Sequence, residues 1–185
     1  IDTSRAEVAE AALQAGAEVI NDVSGGTRDP EILKVAARHG AGTILMHMRG
    51  SPATMQEQVN YNDLVADVVS ALQASCAAAT AAGIPIAHQA VDPGIGFGKS
   101  AQGCLELLAR LQEFRKLHRP VLVGASRKSF LGVAFGHEGE DRLVGSLLAS
   151  GHSVTAGASI VRVHDVAPTR LAVDVAAGIR DAAKR

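Results

Sequence analysis

Five short apolar runs recur along the chain, each breaking off into a polar cluster, with a helix-length segment before the next. They are Ala17–Val23, Thr43–Met48, Ile86–Asp92, the run opening at Val121, and Ser159–His164. Strands this continuously apolar must be buried on both faces, which points to a parallel sheet covered by helices. Each strand then returns to the sheet through a right-handed helical crossover. Two architectures satisfy this: an open doubly wound sheet, and a (β/α)8 barrel without its first two units. Periodicity does not separate them. The polar clusters favour the barrel, whose sites gather residues from the ends of many strands, whereas an open sheet concentrates them near one switch point.

Local signals set the helices. Ile1-Asp2 reads as the end of a partial sixth strand, so the sequence is expected to begin inside a fold. Thr3 or Ser4 is placed to cap a helix running to about Ala15, with Glu7 completing a capping box and Val8, Ala11, Ala12 and Ala15 on its inner face. Pro30 begins the next helix and Gly40 closes it. After a turn at Arg49-Gly50-Ser51-Pro52 and a long loop, a helix from Asp63 to Ala82 carries Leu64, Val68, Ala71, Leu72 and Ser75 at helical spacing. Gly83-Ile84-Pro85 stops it. Further helices are expected from about Ala101 to Leu117, with Leu105, Leu108 and Leu111 on one face, from about Asp141 to Ala156, and from Thr169 to Ala183. A loop containing His137 and Gly139 precedes the second of these.

A chain of 185 residues holds one domain with a sizeable core, so residues 1–185 are read as a single unit. Scarce aromatics and abundant small aliphatics suit helices lying close on a sheet. The net charge of −1 gives no overall pull toward nucleic acid or membrane, so any anion recognition is local. Cys76 and Cys104 have no CxxC spacing, which argues against a disulfide framework or zinc site and for a reducing, cytoplasmic compartment. No apolar stretch is read as a membrane span, and no signal peptide is visible.

Three strand tips carry the chemistry. In DPGIGFGK (92–99), glycines allow a ligand close to the backbone, Asp92 can accept two hydrogen bonds from a guanidine-like ring edge, and Phe97 can lie flat on a ring. The superficial GxGxxG match fails because position 99 is lysine. Taken alone, such a turn is as readily a structural βα loop. In VLVGASRKSF (121–130), a buried strand ends at Gly124 and opens into Ser126, Arg127 and Lys128. An isolated basic pair is usually a solvated tip, but its place after a buried strand argues for a site. In RVHDV, Arg162 and His164 stand two apart, so both face one side, and an arginine in an apolar strand is costly unless it meets an anion. The bland alternative is an ion pair with Asp2 or Asp92.

Other candidates are weaker alone. Of Asn21 and Asp22 only one can face the site, and Asn21 offers both donor and acceptor to a heterocycle edge. Met46 or Met48 can pack on a flat ring or simply fill space. His47 is more often a structural hydrogen-bonder than a catalyst, and Asp2 is either a second carboxylate or an N-cap. His39, His88, His118, His137 and His152 are expected on the surface without partners. No Ser-His-Asp or Cys-His set emerges, which leaves positioning and stabilisation of a leaving anion.

IDTSRAEV, INDVSGG, LMHMRGSPATMQ, DPGIGFGK, VGASRKSF and IVRVHDV, in this order, resemble the dihydropteroate synthase family along the whole chain. The resemblance implies a (β/α)8 barrel, here without its first two β/α units. It also implies a transferase of folate biosynthesis that joins 6-hydroxymethyl-7,8-dihydropterin diphosphate to p-aminobenzoate by a dissociative route, diphosphate leaving before the amine attacks. By resemblance Asp2, Asn21, Asp92 and Lys128 bind the pterin, walled by Met46, Phe97 and Gly124. Arg162 stacks on the pterin and meets the diphosphate with His164. Ser126, Arg127, Lys128 and Phe97 border p-aminobenzoate, and Asp2, Asp92 and Lys128 are the catalytic set. The family further implies Mg2+, sulfonamide inhibition and a homodimer. No metal ligand is assigned in this chain, since the family's asparagine for Mg2+ and diphosphate comes from a segment preceding these residues. Gly103 and Cys104 depart from a more polar family pair, with packing the expected consequence. A methyltetrahydrofolate-type methyltransferase domain and a binding-only fragment are the competing readings.

Overall fold

Strand and helix alternate from end to end in the computed structural model, which describes residues 1–50, 54–57, 59–137 and 141–183. β1 (Val19–Asp22), β2 (Gly42–Met46) and β3 (Gln89–Asp92) pair in parallel, Ile20 opposite Thr43 and Ile44 opposite Ala90. β4 (Leu122–Val123) and β5 (Ile160–Val161) form a second parallel pair. A bridge from Val91 to Val121 joins the two sheets, and one from Asp2 to Asn21 adds the first residues beside β1. Every neighbour in this ribbon is therefore the next strand in sequence. A doubly wound sheet reverses its order at a switch point; this one does not, and the barrel-like alternative is the one the order supports. Gln89 is a strand residue whose side chain stays inside: its Nε2 donates to Thr80 Oγ1 at 3.0 Å and Ile84 O at 2.9 Å, and its Oε1 accepts from Arg119 Nε at 3.0 Å.

The helices are α1 (Ala6–Gln14), α2 (Glu31–His39), α3 (Leu64–Ala81), α4 (Ala101–Ala109), α5 (Phe130–Val133), α6 (Leu143–Thr155) and α7 (Val166–Ala182). Their inner faces close over Ile20, Leu45, Val91 and Val123 with Ile32, Val68, Leu72, Leu107 and Phe114. Asp63 caps α3 by accepting from Ala66 N, and Ser100 caps α4 by accepting from Gly103 N. A Cβ at Gly103 would stand 3.0 Å from Leu64 Cδ2, so this glycine lets α4 meet α3 closely, the packing role expected of it.

Several expectations are corrected. The capping box of α1 does not form: Arg5 is the N-cap, Glu7 pairs with Arg5 at 2.8 Å, and Ala6 N donates to Asp29 Oδ2 at 2.7 Å. The α1 residues that reach the core are Ala9 and Leu13, while Ala11 and Ala15 are exposed. The helix expected through Leu117 breaks at Arg110, and Leu111–Leu117 continues as a 3-10 helix. That geometry stacks residues three apart, which buries Leu111, Phe114 and Leu117 together. Ile86–His88 is a 3-10 turn rather than strand, and α7 begins earlier, with Pro168 in its first turn where a missing N–H costs nothing. The expected residues Ser51, Pro52 and Gly139 lie outside the described residues.

α3 also overturns the reading that no segment could span a membrane: its 18 residues average 1.4 in hydropathy. Its buried Leu64, Val65, Val68, Leu72, Cys76 and Ala79 account for that apolarity as a face turned to the core. The expectation of partnerless histidines fails at His39, whose Nε2 lies 2.7 Å from Glu10 Oε1, and at His152, whose Nε2 lies 3.0 Å from Leu108 O, and His137 too has a partner.

Candidate active site

Alternation along β1 separates its two polar end residues. Asp22 turns into its own loop, where Oδ1 accepts from Ser24 N and Ser24 Oγ, both at 2.8 Å, and Oδ2 accepts from Gly26 N at 2.7 Å. Asn21 faces the other way and donates from Nδ2 to Asp2 Oδ2 at 2.9 Å. The same oxygen of Asp2 lies 3.3 Å from Arg162 Nη1, so the first and last strand tips of the ribbon meet. The N-cap alternative for Asp2 is not what the structure shows. The ion-pair alternative for Arg162 does occur, between two side chains that remain largely exposed.

Asp92, at the end of β3, is 2 % exposed and accepts from Gly94 N at 2.7 Å. Burial pushes its carboxyl up, while the Gly94 N–H and the charges of Lys128, Arg162 and Lys99 pull the other way. Gly94 has a φ of +69°, and a Cβ there would lie 1.9 Å from His47 O. Only glycine lets this turn sit against the tip of β2.

Lys128 donates from Nζ to Ile95 O and lies 4.5 Å over the Phe97 ring. Burial brings its ammonium down to about 8, against the opposing pull of Asp92. It stands between two cavities. One, of about 330 Å³, is lined by Asp2, Gly124, Ser126, Lys128, Arg162, Val163 and His164. The other, of about 320 Å³, is lined among others by Phe97, Lys99, Ser100, Cys104, Lys128 and Phe130. Ser126 and His164 are tied together: Ser126 Oγ accepts from His164 N at 3.2 Å and meets His164 Nδ1 at 3.0 Å. At Gly124 a Cβ would be 3.5 Å from Arg162 Nε, so the guanidinium lies along the bare backbone.

Four candidates line neither cavity: Asn21, Met46, Asp92 and Arg127. The Arg127 guanidinium forks onto Asp165, Nε to Oδ2 at 2.9 Å and Nη2 to Oδ1 at 2.5 Å. Its backbone is left-handed, with a φ of +57°. Met46 is 1 % exposed and lies beside Asp92 in register.

The sequence reading passed over Lys99. This lysine is 3 % exposed, with Nζ 2.9 Å from His47 Nδ1, 2.8 Å from Phe97 O and 3.2 Å from His47 O. Burial brings it down to about 7, and burial followed by the Lys99 and Arg49 charges brings His47 down to about 3. A neutral His47 accepts from Lys99 at Nδ1 and carries its own proton on Nε2. The available signal was a charge inside an apolar, glycine-rich turn. Arg49 and Tyr61 were passed over as well: Arg49 lies 3.9 Å over the Tyr61 ring, and Tyr61 Oη donates to Gly98 O at 2.8 Å.

Among the described residues no group of three or more His, Cys, Asp or Glu side chains is arranged to hold a metal ion, so they offer Mg2+ no protein cage. Asp2, Lys128 and Arg162 instead line one cavity, with the Asn21 amide bonded to Asp2 and the buried Asp92 carboxylate behind, within electrostatic reach of both cations. Such a set can grip a ring with mixed donors and acceptors on its edge, meet an anion, and oppose positive charge developing between them.

The match to known proteins is extensive. The family described as "Pterin binding enzyme" matches residues 1–164. A dihydropteroate synthase of Synechocystis sp. is 47 % identical over 167 residues, covering 90 % of this chain and 58 % of the relative. The chain thus spans well under two thirds of that relative's length. Solved structures of the Thermus thermophilus dihydropteroate synthase superpose on it with TM-scores of 0.88 in complex with 6HMPPP and 0.89 in complex with 4-aminobenzoate. They are 42 % and 43 % identical and cover 100 % and 96 % of this chain, and 71 % and 69 % of theirs. The Yersinia pestis dihydropteroate synthase with a sulfonamide drug gives a TM-score of 0.92 at 38 % identity, covering 98 % of this chain and 66 % of that one. The fold is accordingly the TIM barrel type of these synthases, and the chain belongs to the pterin-binding enzyme family.

Proposed function

We propose that this chain is catalytic barrel of a dihydropteroate synthase, a folate-pathway transferase joining 6-hydroxymethyl-7,8-dihydropterin diphosphate to p-aminobenzoate. The observation that carries the proposal is Lys128 standing in the wall shared by two cavities, one holding Asp2 and Arg162 and the other Phe97. Asp2, Asn21, Asp92 and Lys128 take the pterin edge, with Met46, Phe97, Gly124 and Arg162 around the ring. Arg162 and His164 receive the diphosphate. As the bond from the pterin methylene carbon to the diphosphate oxygen breaks, the Asp2 and Asp92 carboxylates oppose the positive charge left on the pterin. The amine lone pair of p-aminobenzoate then forms the new C–N bond, and the amine's proton passes to water. Phe97, Ser126 and Lys128 border that amine's ring, and Arg127 joins them only by leaving Asp165. Sulfonamides compete for the same place. No step is assigned to Mg2+, for which the described residues form no site.

The finer points of the reading go with it. The parallel ribbon corresponds to the last six strands of an eight-stranded barrel, the first two β/α units lying outside these residues. Exposed Leu148 on α6 and Leu171, Val175 and Ile179 on α7 support a homodimer, and the free buried thiols suit a reducing cytoplasm.

The test is to measure binding of the pterin diphosphate and formation of dihydropteroate in one preparation, comparing the wild type with Lys128→Ala and with Lys34→Ala on the outer face of α2. Loss of both with Lys128→Ala and neither with Lys34→Ala is expected. Binding without turnover in the wild type favours the binding-only reading, and equal effects of the two substitutions sink the site.

A further inference from the structure

Among the described residues Lys99 is the most deeply buried lysine or arginine, 3 % exposed. Removing an ammonium from water is costly, and an apolar side chain of similar length would fill the space more cheaply unless the geometry needs the donors. Here all of them are directed. Nζ reaches His47 Nδ1 and His47 O, at the tip of β2, and Phe97 O, within the turn that follows β3. The lysine head therefore pins the 93–98 turn to its neighbouring strand tip. The His47 carbonyl is also the atom against which Gly94 makes its close approach, so the same point is held from two sides.

What that turn presents on its other side is the seat of Lys128. The Ile95 carbonyl accepts from Lys128 Nζ, the Phe97 ring lies 4.5 Å beneath it, and a Cβ at Gly96 would be 3.3 Å from Lys128 Cδ. Thus one buried lysine fixes the surface on which a second lysine rests. We propose that Lys99 is a positioning residue for Lys128, acting through the 93–98 turn. Its consequence for catalysis rests on the synthase reading above, but the positioning itself does not.

The charged and titratable groups around the two are few. Lys99 faces His47 and Arg49 from the β2 tip, Asp92 from β3, Cys104 from α4 and Lys128; Lys128 faces Asp92, Arg162 and Cys104. Lys99 and Lys128 also repel one another directly, the Lys128 charge pulling Lys99 down, so only a substitution that keeps the Lys99 charge isolates what runs through the turn. If the turn loosens, water reaches the Lys128 ammonium and its titration midpoint climbs back toward the ordinary lysine range.

The experiment reads that midpoint without any substrate. Acylation of Lys128 by acetic anhydride, followed by peptide mass spectrometry across pH, is compared in the wild type and in Lys99→Met. The wild type is expected to titrate near 8. Lys99→Met is expected to move the midpoint up by about one unit or more, which cuts acylation at the wild-type midpoint several-fold. Cooperative urea unfolding confirms that the variant is folded. A folded Lys99→Met with an unmoved midpoint overturns the proposal. Because Lys99→Met also removes a like charge beside Lys128, His47→Leu, which removes one of the three Nζ partners and keeps the Lys99 charge, decides by the same measurement: a smaller upward shift supports the proposal and no shift overturns it. Titration with 6-hydroxymethylpterin is run in parallel, where Lys99→Met is expected to weaken binding about tenfold. A wild type that ignores the pterin while His47→Leu still shifts Lys128 sinks the synthase reading and leaves the positioning role standing.

Discussion

Arg162 Nη1 lies 3.3 Å from Asp2 Oδ2, linking the last strand tip of the ribbon to the first. The two side chains are 41 % and 60 % exposed, and exposed pairs of this kind contribute about 0–1 kcal/mol. The contact is therefore weak enough for either partner to turn to a ligand. It gathers a carboxylate and a guanidinium at one cavity without committing them to each other.

Asp2→Asn should accordingly leave the urea unfolding midpoint nearly unchanged while weakening pterin binding by about tenfold to a hundredfold, the range for losing a charged hydrogen-bond acceptor. Fluorescence titration beside an unfolding curve checks both halves. A large fall in stability with unchanged binding would mean that the pair is a structural clasp.

Glycines separate strain from collision. Gly40 and Gly94 have similar positive φ of +62° and +69°, but nothing lies within 4 Å of a Cβ at Gly40, while one at Gly94 meets His47 O at 1.9 Å. Gly40→Ala should cost about 1 kcal/mol, the left-handed penalty alone. Gly94→Ala should cost about 3 kcal/mol or more, because backbone must move as well. Equal costs in urea unfolding would show that the β3 turn yields freely, and would also undercut the pinning role of Lys99.

Lys99 also gives stability a pH dependence of definite sign. Its folded value is lowered to about 7 and that of Lys128 to about 8, both below the ordinary 10.5. Above these values the unfolded chain holds protons that the folded chain has released, so stability rises with pH. Below about 7 the Lys99 contribution is flat and fully unfavourable. Cys76 and Cys104 are pushed up by burial from 9.0 and act in the opposite sense above that value. Urea midpoints at about pH 7 and 8.5, inside the lysine window, should therefore increase with pH, and Lys99→Met should remove most of the increase. A wild-type midpoint falling across that interval would contradict the burial of both ammonium groups.

How far the sequence reveals the structure depends on how local each cause is. The strand tips were legible because an apolar run ending in Asn21, Asp92, Gly124 or Arg162 announces both a buried strand and its exit. The fork between Asn21 and Asp22 followed from alternation alone. Arg127 was not legible: its partner Asp165 is 38 positions away, and a charge run cannot say which cation turns back. Lys99 was hidden for a similar reason, since its acceptors are two backbone carbonyls and a histidine on the neighbouring strand tip. The break at Arg110 escaped because spacing of three suits a 3-10 helix as well as one face of an α-helix.

The start of α1 is the sharpest case of a distant cause. Ser4 and Glu7 spell a capping box, yet Asp29 in the following βα loop provides the acceptor for Ala6 N at 2.7 Å. Asp29→Ala should cost about 1 kcal/mol, as for the loss of an N-cap, whereas Ser4→Ala should cost less. The reverse order in thermal unfolding would restore the local capping reading.

The proposed homodimer can be tested on the outer helices. On α7, Leu171, Val175 and Ile179 are 68 %, 54 % and 65 % exposed, and they recur every four residues as one stripe. On α6, which packs beside it through Gly151 and Ala176, Leu148 is 70 % exposed. Leaving such side chains in water forgoes about 1.5–3 kcal/mol for each that a partner could bury. Val175→Glu and Leu148→Glu introduce charge there without touching either cavity. Sedimentation velocity should show a concentration-dependent dimer in the wild type and a monomer in both variants, with pterin binding retained. A wild type that stays monomeric rejects the homodimer, and variants that stay dimeric place the interface on another face.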